Sequence, residues 1–399
     1  MQTPSTEFLE KYSKILVNFA LNDGNGIKKG DVVYVLTQTP GIPLAKEIYR
    51  TILRSGGHAI INIQDDDFKL IQMAESSDEQ LTYFPDKYYR GLADISDHYI
   101  RILAEEDPLF LSKADPRKVI LAGQSTKPYR EWLDQKEDAG KFTWTLCLYG
   151  TEGAAREAGL TYDQYWEQIS NACFLDQADP ISTWRSVYDK MYSILQTLDD
   201  MPIKSVNIKS KNTDLVVSIG ENRRWLGGRG RNIPSFEIFT SPDWRGINGT
   251  IFFDLPLYRY GNIIKNITLQ IKDGHIIRAD AEQNQELLRE MIAQKNADKI
   301  GEFSLTDKRF SKINKFMANT LFDENFGGEF GNTHLAVGKA YHDACKLNPK
   351  DMSERDFSEL GYNDSPEHTD IIATSDRTVT ATLNDGSKKV IYEGGQFTI

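Results

Sequence analysis

A change in hydrophobic periodicity near residue 202 limits the folds open to this chain of 399 residues. Before that point, short runs of β-branched residues alternate with segments of helical spacing. From residue 205 to 277, short strand-like runs follow one another directly. Alternating strands and helices favour an α/β sheet, whereas consecutive short strands favour antiparallel pairing. The pattern predicts an α/β N-terminal domain over residues 1–202 and a strand-rich α+β domain over residues 203–399.

The first half begins with a βαβ unit. Residues 31–37 and 58–63 are short apolar runs rich in β-branched side chains, and residues 44–54 carry an apolar stripe at helical spacing. Residues 118–122 and 142–147 are similar apolar runs, so we expect them to add two further strands. The N-terminal domain is therefore predicted to be a sheet covered by helices.

The turn after the first predicted strand argues against a nucleotide site. Its sequence, Thr37-Gln-Thr-Pro-Gly-Ile-Pro43, lacks the glycine pattern that brings a backbone close to a pyrophosphate. A Gly-Lys-Ser/Thr phosphate loop is also missing from the chain. We therefore interpret the N-terminal domain as a scaffold.

The composition excludes several classes of partner. The chain has 47 Lys and Arg against 58 Asp and Glu, a net charge of −11, whereas a binder of nucleic acid or anionic membranes needs a basic surface. It contains no run of about 18 apolar residues that could cross a membrane. The chain starts without a secretory leader pattern and its 3 cysteines are widely spaced, so we expect a cytoplasmic protein.

Common hydrolase motifs are missing from the sequence. It has neither the Gly-x-Ser-x-Gly nucleophile turn nor the His-Glu-x-x-His pair of helical zinc sites. The remaining candidates for chemistry are acids and histidines of the second half.

His368 and Asp370 are the first such candidates. If residues 367–373 form a strand, side chains two positions apart share one face, so this imidazole and this carboxylate point the same way. Such a pair suits a divalent metal of the zinc or cobalt type. A polar strand end at the surface is the alternative.

Glu324 and His334 flank a glycine-rich loop, and residues 333–346 after it have helical character. On a helix, His334 and Tyr341 would share one face, because seven residues return almost to the starting direction. A phenol near a metal-bound imidazole can donate a hydrogen bond to a developing oxyanion. The alternative is a buried tyrosine within a helical stripe.

Glu237 and Glu302 each lie in an apolar, strand-like run. A buried carboxylate must find a partner or change its pKa. A metal would be such a partner, and a buried salt bridge to a nearby arginine is the alternative.

Short segments spread over most of the chain follow one another in a recognisable order. They are Trp144–Gly159, Thr213-Asp-Leu, Trp225, Asn232-Ile-Pro, Glu237-Ile-Phe-Thr-Ser-Pro, Gly301-Glu302, Leu321-Phe-Asp-Glu-Asn, His334-Leu-Ala-Val-Gly, Tyr341 and His368-Thr-Asp370. Together they resemble the thermophilic-type metalloaminopeptidases, the family that includes aminopeptidases T and S. Ser235-Phe236 stands where that family usually has Asp-Gly.

The resemblance implies a site in the C-terminal domain that binds two divalent metal ions, zinc or cobalt first and manganese or magnesium as alternatives. The ligands it implies are Glu237, Glu302, Glu324, His334, His368 and Asp370. Glu302 would be shared between the ions and act as the general base, and Tyr341 would be the catalytic tyrosine. The family resemblance also implies a homodimer, with residues 1–202 as scaffold and dimerisation domain.

The expected activity is metal-dependent hydrolysis of the N-terminal peptide bond of peptides that have a free N-terminus. Two alternatives stay open at this point. One is a metal-free pseudoenzyme that binds peptides, and the other is a dimetal hydrolase that acts on another bond, such as a phosphoester.

Overall fold

The computed structural model of the chain describes residues 4–228 and 230–399. These residues form two compact units. Unit 1 comprises the residues up to Arg185 and the short segment that ends at Pro234, and unit 2 comprises Ser186–Gly228 and Ser235–Ile399. The boundary predicted near residue 202 separates a scaffold domain from a catalytic domain, and this division of roles stays a prediction.

The sheet of unit 1 is parallel. Its strands within the described residues are β1 (Val32–Gln38), β2 (His58–Gln64), β3 (His98–Leu103), β4 (Thr143–Leu148) and β7 (Asn232–Ile233). They lie in the order β2-β1-β3-β4-β7. The apolar run of β1 is almost completely buried, as expected for a central strand of a parallel sheet.

Helices precede and follow these strands along the chain. They are α1 (Thr6–Ile15), α2 (Ile42–Arg54), α3 (Asp66–Glu75), α4 (Asp78–Thr82), α5 (Asp86–Ile95), α6 (Pro116–Ser125), α7 (Lys127–Asp138), α8 (Glu152–Glu157), α9 (Tyr162–Ala172) and α10 (Pro180–Asp200). In the described ranges, no helix combines the length and the apolar character needed to span a bilayer.

One predicted strand of the first half is wrong. Residues 118–122 lie inside α6, and the missing strand of the sheet is β3. The helix begins because Asp115 caps it, its side chain accepting the Arg117 N–H, and Pro116 occupies the first turn. A short apolar run by itself does not distinguish a strand from a helix.

Unit 2 is built mainly from antiparallel strands. These are β5 (Ile203–Ser210), β6 (Thr213–Ser218), β8 (Glu237–Thr240), β9 (Asn248–Phe253), β10 (Leu257–Arg259), β11 (Asn262–Ile264), β12 (Ile267–Lys272), β13 (His275–Asp280), β14 (Ile300–Thr306), β15 (Asn332–Gly338), β16 (His368–Ala373), β17 (Thr378–Leu383), β18 (Lys388–Glu393) and β19 (Gln396–Phe397). Its other helices are α11 (Gln285–Ile292), α12 (Thr320–Asp323) and α13 (Glu354–Glu359).

The described strands of unit 2 form a large sheet, a small sheet and a separate hairpin. The large sheet has the order β13-β12-β9-β6-β5-β17-β18-β19, and the small sheet has the order β16-β15-β14-β8. Strands β10 and β11 pair with each other as the hairpin. The predicted fold class, an α/β part followed by a strand-rich α+β part, is confirmed.

The helix predicted over residues 333–346 is wrong, because Asn332–Gly338 is strand β15. Every residue of β15 is buried, and so is every residue of β14 beside it. A strand buried on both faces shows no alternation of polar and apolar residues. The sequence pattern that would have identified β15 is therefore missing.

A bulge interrupts the pairing of β14 with β15 immediately before Glu302. Ile300 lies opposite Val337 and Glu302 lies opposite Ala336, so Gly301 is an extra residue on β14. A Cβ atom at Gly301 would lie 2.2 Å from the carbonyl oxygen of Lys339. Only glycine lets the backbone around residue 339 approach this closely.

We expect Gly301→Ala to lower the free energy of unfolding by about 3 kcal/mol, the cost of forcing an extra carbon into a packed interior. Urea denaturation of the metal-free protein measures this change. The matched control is Gly91→Ala in α5, where nothing lies within 4 Å of the added carbon. That control should be neutral or slightly stabilising, and equal stability of both variants would contradict the steric argument.

Candidate metal centre

One face of the small sheet of unit 2 collects the polar residues singled out in the sequence. Glu302 on β14 and Asp370 on β16 both lie opposite Ala336 of the strand between them. His334 and His368 lie two positions from Ala336 and Asp370 on their own strands. Because directly paired residues and residues two positions apart share a face, these side chains point to the same side of the sheet.

Glu237 joins this face from β8, the neighbour of β14. It lies opposite Thr306, and Phe239 lies opposite Ser304, so Glu237 faces the same side as Glu302. The Ser235 hydroxyl donates to Glu237 Oε1 at 3.4 Å. Ser235 therefore orients the carboxylate that follows it.

The first group of donors consists of Glu237, Glu302 and His334. His334 Nε2 lies 3.1 Å from Glu302 Oε1 and 3.4 Å from Glu237 Oε2. Glu302 and His334 are buried and Glu237 is half-buried, and one donor atom from each lies within 4.8 Å of the others. We call this group the first triad.

The second group consists of Glu302, His368 and Asp370, and we call it the second triad. His368 Nε2 lies 3.6 Å from Asp370 Oδ1 and 3.9 Å from Glu302 Oε2. Glu302 thus turns one oxygen to each imidazole, and it is the residue that the two triads share.

Glu324 is buried beside the triads, directly after α12. The Asn325 side-chain amide donates to its Oε1 at 3.4 Å. Burial raises the pKa of Glu324 well above its usual value, and the carboxylates of Glu237 and Asp370 add to the effect. Glu324 is therefore near enough to Glu237 and Asp370 for their negative charges to affect its pKa.

The pKa values of the two carboxylates of the second triad are shifted in opposite directions. Burial raises the pKa of Glu302 to about 7, against the hydrogen bond from His334. Burial also opposes ionisation of Asp370, but the neighbouring positive charge of His368 outweighs burial and lowers the pKa of Asp370 to about 2. Different partners therefore give two buried acids different proton affinities.

Both imidazoles hold their protons more tightly than usual. Burial favours the neutral ring of His368, yet the neighbouring Asp370 and Glu302 raise its pKa to about 9. For His334, burial is likewise outweighed by hydrogen bonds with Glu237 and Glu302, which raise its pKa well above the usual value. In the metal-free protein, protons supply the positive charge that this group of acids needs.

The second ring nitrogen of each histidine is held by a neighbour. His368 Nδ1 donates to the Lys339 carbonyl at 2.8 Å, and His334 Nδ1 lies 3.4 Å from the Asn332 side-chain oxygen. Such bonds fix the ring orientation and leave Nε2 as the atom available to a metal.

Tyr341 reaches the same site, although not on a helix. Its backbone N–H donates to the Ser241 hydroxyl at 2.8 Å, and its ring centroid lies 4.9 Å from that of His368. Burial, together with Glu302 and Asp370, raises the pKa of the Tyr341 phenol well above its usual value. The hydroxyl is therefore protonated at neutral pH and can donate a hydrogen bond.

The donor set fits divalent metal ions. Carboxylate oxygens and imidazole nitrogens are the ligands that zinc, cobalt and manganese accept. Within the described part of the chain, the buried Asp370 Oδ1 has no hydrogen-bond partner. Four buried or nearly buried acids also need more positive charge than two imidazoles supply, because unpaired buried charges are costly. Bound cations would satisfy both requirements.

The residues that surround the site were not predicted from the sequence. Asn332 lies two positions before His334 on one strand, so an alternating pattern could have indicated it. Arg259 and Tyr260 contact Glu367, the neighbour of His368, across a separation of more than a hundred residues. Nothing in the sequence indicates such a long-range contact.

Comparisons with known proteins place the chain among metal-dependent proteases. The family model described as thermophilic metalloprotease (M29) matches residues 5–397. The chain is 26% identical to aminopeptidase 2 of Geobacillus stearothermophilus, over 98% of this chain and 97% of that protein. It is also 26% identical to aminopeptidase T of Thermus thermophilus, over 98% of both chains. The structure of wild-type AmpT from Thermus thermophilus has the same fold, with a TM-score of 0.85, 23% identity and coverage of 98% of this chain and 99% of that one.

We expect metal binding at pH 7 to release at least about one proton, because a metal binds the deprotonated forms of its ligands. His368, with a pKa of about 9, carries a proton at that pH in the metal-free protein, and Glu302, with a pKa of about 7, carries part of one. Apparent affinity should therefore rise with pH up to about 9. Calorimetric titration with Zn²⁺ in buffers of different ionisation enthalpy measures the protons released.

The control for this measurement is His58→Asn, a change at an exposed position outside the triads, which should leave the proton count unchanged. His368→Asn should reduce it. A binding heat that does not depend on the buffer would contradict the expected protonation of the site.

Proposed function

This chain belongs to the thermophilic metalloprotease family M29, and from that premise we propose that it is an aminopeptidase that hydrolyses the N-terminal bond of peptides. The observation that carries the proposal is the convergence of two donor triads on one sheet face, with Glu302 in both. The names of the relatives, aminopeptidase 2 and aminopeptidase T, support the preference for N-terminal residues.

The proposed ligands of one metal ion are Glu237, Glu302 and His334, and those of a second ion are Glu302, His368 and Asp370. Glu324 would complete the set from its buried position beside them. Zinc or cobalt suits this mixture of ligands, and manganese or magnesium is the alternative. When bound, such ions lower the pKa of a coordinated water and polarise the scissile carbonyl.

Glu302 is the proposed general base. Its carboxylate lies between the two imidazoles, which places an acceptor oxygen in the middle of the site. From there it can take the proton of the attacking water and return it to the leaving amine. The two triads around it also favour a single orientation of the carboxylate.

Tyr341 is the proposed donor to the oxyanion. Its protonated hydroxyl belongs to a ring packed beside His368, and the carboxylates near it keep the proton on the phenol. A donor held in place before the reaction stabilises charge that develops on the carbonyl oxygen of the peptide bond.

The site also suits a substrate with a free amino terminus. A free α-amine in its neutral form is a nitrogen donor that one of the ions could accept, whereas an acylated terminus offers no such donor. We further propose that the protein acts as a cytoplasmic homodimer and that residues 1–202 provide the scaffold for the dimer. These last proposals rest on the family resemblance.

The first test is hydrolysis of aminoacyl anilides by the Zn²⁺- or Co²⁺-loaded protein, with N-acetylated anilides and a phosphoester as alternative substrates. We expect turnover of the free-amine anilides alone. Glu302→Gln should lower kcat by at least about 10²-fold, because a carboxamide can neither accept the proton nor serve both triads.

The control variant is Glu329→Gln, which alters an exposed acid in the nearby glycine-rich loop and should retain full activity. Full activity of Glu302→Gln would remove the general-base assignment. Hydrolysis of the phosphoester alone would indicate a different hydrolase, and no turnover of any substrate would favour a peptide-binding pseudoenzyme.

Tyr341→Phe should lower kcat by about 10²-fold and leave KM nearly unchanged, because the lost hydrogen bond forms mainly in the transition state. Steady-state kinetics on an aminoacyl anilide separate the two constants. Tyr192→Phe, at a tyrosine that is 60% exposed on α10, is the matched control. A rise in KM with kcat unchanged would instead mean that Tyr341 binds the substrate without stabilising the transition state.

A further inference from the structure

We propose that Glu367 is a positioning residue, which the hairpin β10–β11 and Gln294 hold in place and which in turn fixes His368 in the second triad. The inference rests on the proposed metal centre and adds to it a residue that touches neither metal nor substrate. We call the group Arg259, Tyr260, Gln294, Glu367 and Thr369 the Glu367 cluster.

The Glu367 carboxylate accepts hydrogen bonds from four side chains. Arg259 Nη2 donates to Oε1 at 2.6 Å, and the Gln294 amide donates to Oε2 at 3.1 Å. The Tyr260 hydroxyl donates to Oε2, and the Thr369 hydroxyl donates to Oε1. Both oxygens of the carboxylate therefore have two donors, which fixes the side chain in one orientation.

Glu367 is the buried partner of an ion pair with Arg259. The residue is only 2% exposed, and its Oε1 lies 2.6 Å from Arg259 Nη2. A buried ion pair of this kind is sensitive to the loss of one partner, since the other charge is left unpaired.

Glu367 and His368 are neighbours in sequence, and both also form hydrogen bonds with Lys339. The Lys339 N–H donates to the Glu367 carbonyl at 2.8 Å, and the Lys339 carbonyl accepts from His368 Nδ1 at 2.8 Å. The acceptor that orients the imidazole thus belongs to Lys339, the residue whose N–H is bound by the Glu367 carbonyl. A shift of Glu367 would move the acceptor that fixes the ring.

Arg259 contacts the same strand at a second point. Its Nη2 also donates to the His368 carbonyl oxygen at 3.4 Å. The cation of the Glu367 cluster therefore contacts the backbone of His368 as well as the Glu367 carboxylate. Among the described residues, no hydrogen bond joins the first triad to this cluster.

The asymmetry between the triads makes the inference testable. If the Glu367 cluster orients His368, its loss should weaken the second triad and leave the first one intact. A purely structural role would lower the stability of the protein without separating the two metal sites. Changes in residues that orient a metal ligand typically reduce affinity by 10- to 100-fold.

The experiment is titration of metal-free wild-type protein and Glu367→Gln with Co²⁺, followed by calorimetry and by visible absorption. In the variant, the new side-chain amide nitrogen would face the Gln294 amide, and two hydrogen-bond donors would then repel each other. Arg259 would also lose its counter-charge. We expect one of the two Co²⁺ affinities, that of the second triad, to fall about 10- to 100-fold, and the other to stay within about 2-fold of wild type.

The matched control is Glu359→Gln, which removes the charge of an exposed glutamate paired with Arg355 and should leave both affinities unchanged. Thermal unfolding of each metal-free variant reports whether it folds. If Glu367→Gln does not fold, Tyr260→Phe is used in its place, because it removes one donor to Glu367 and keeps the aromatic ring. We expect it to weaken the second site about 3-fold or more.

Two results would overturn the inference for different reasons. If wild-type protein binds two Co²⁺ ions and the folded Glu367 cluster variants bind both equally well, the positioning role is wrong and the metal centre stands. If wild-type protein binds fewer than two ions, the proposed dinuclear centre fails, and the inference fails with it.

Discussion

Mutual repulsion among buried carboxylates is the constraint on which the rest of unit 2 depends. Glu302 and Asp370 meet beside His334 and His368 in a part of the protein that water hardly reaches. Such a group costs more free energy the closer its charges come, unless cations or protons compensate them. The raised pKa values of Glu302 and His368 show that protons take this role when no metal is bound. Metal binding and proton release are therefore thermodynamically coupled.

The small sheet turns this unfavourable group into a defined site. Pairing in register brings Glu302 and Asp370 onto one face, on either side of the strand that carries His334. An acceptor then holds the Nδ1 side of each imidazole. The Lys339 carbonyl holds His368, and the Asn332 side-chain oxygen holds His334. The positions of the ligands are thus set by strand pairing, whose hydrogen bonds do not depend on the metal. A site built in this way is organised before an ion arrives.

Much of the fold could be predicted from the sequence, because periodicity is a local property. The βαβ unit and the change to short strands are readable from residue spacing alone. Two predictions were wrong for local reasons as well. The run at 118–122 is equally compatible with both kinds of element, and β15 is buried on both faces, so neither shows a diagnostic alternation. Tyr341 reaches His368 from beyond the end of β15, which no helical spacing could have indicated.

The sequence by itself determined which residue types are present, their order along the chain and the family to which they point. The tertiary structure decided which of them meet, because strand register acts across intervals that a sequence pattern does not describe. It brought Glu302 into both triads, and it placed Arg259 and Tyr260 on the carboxylate next to His368. It also set the pKa values of Glu302 and Asp370 apart, since a pKa depends on burial and on neighbouring charges, and both exist only in the folded chain.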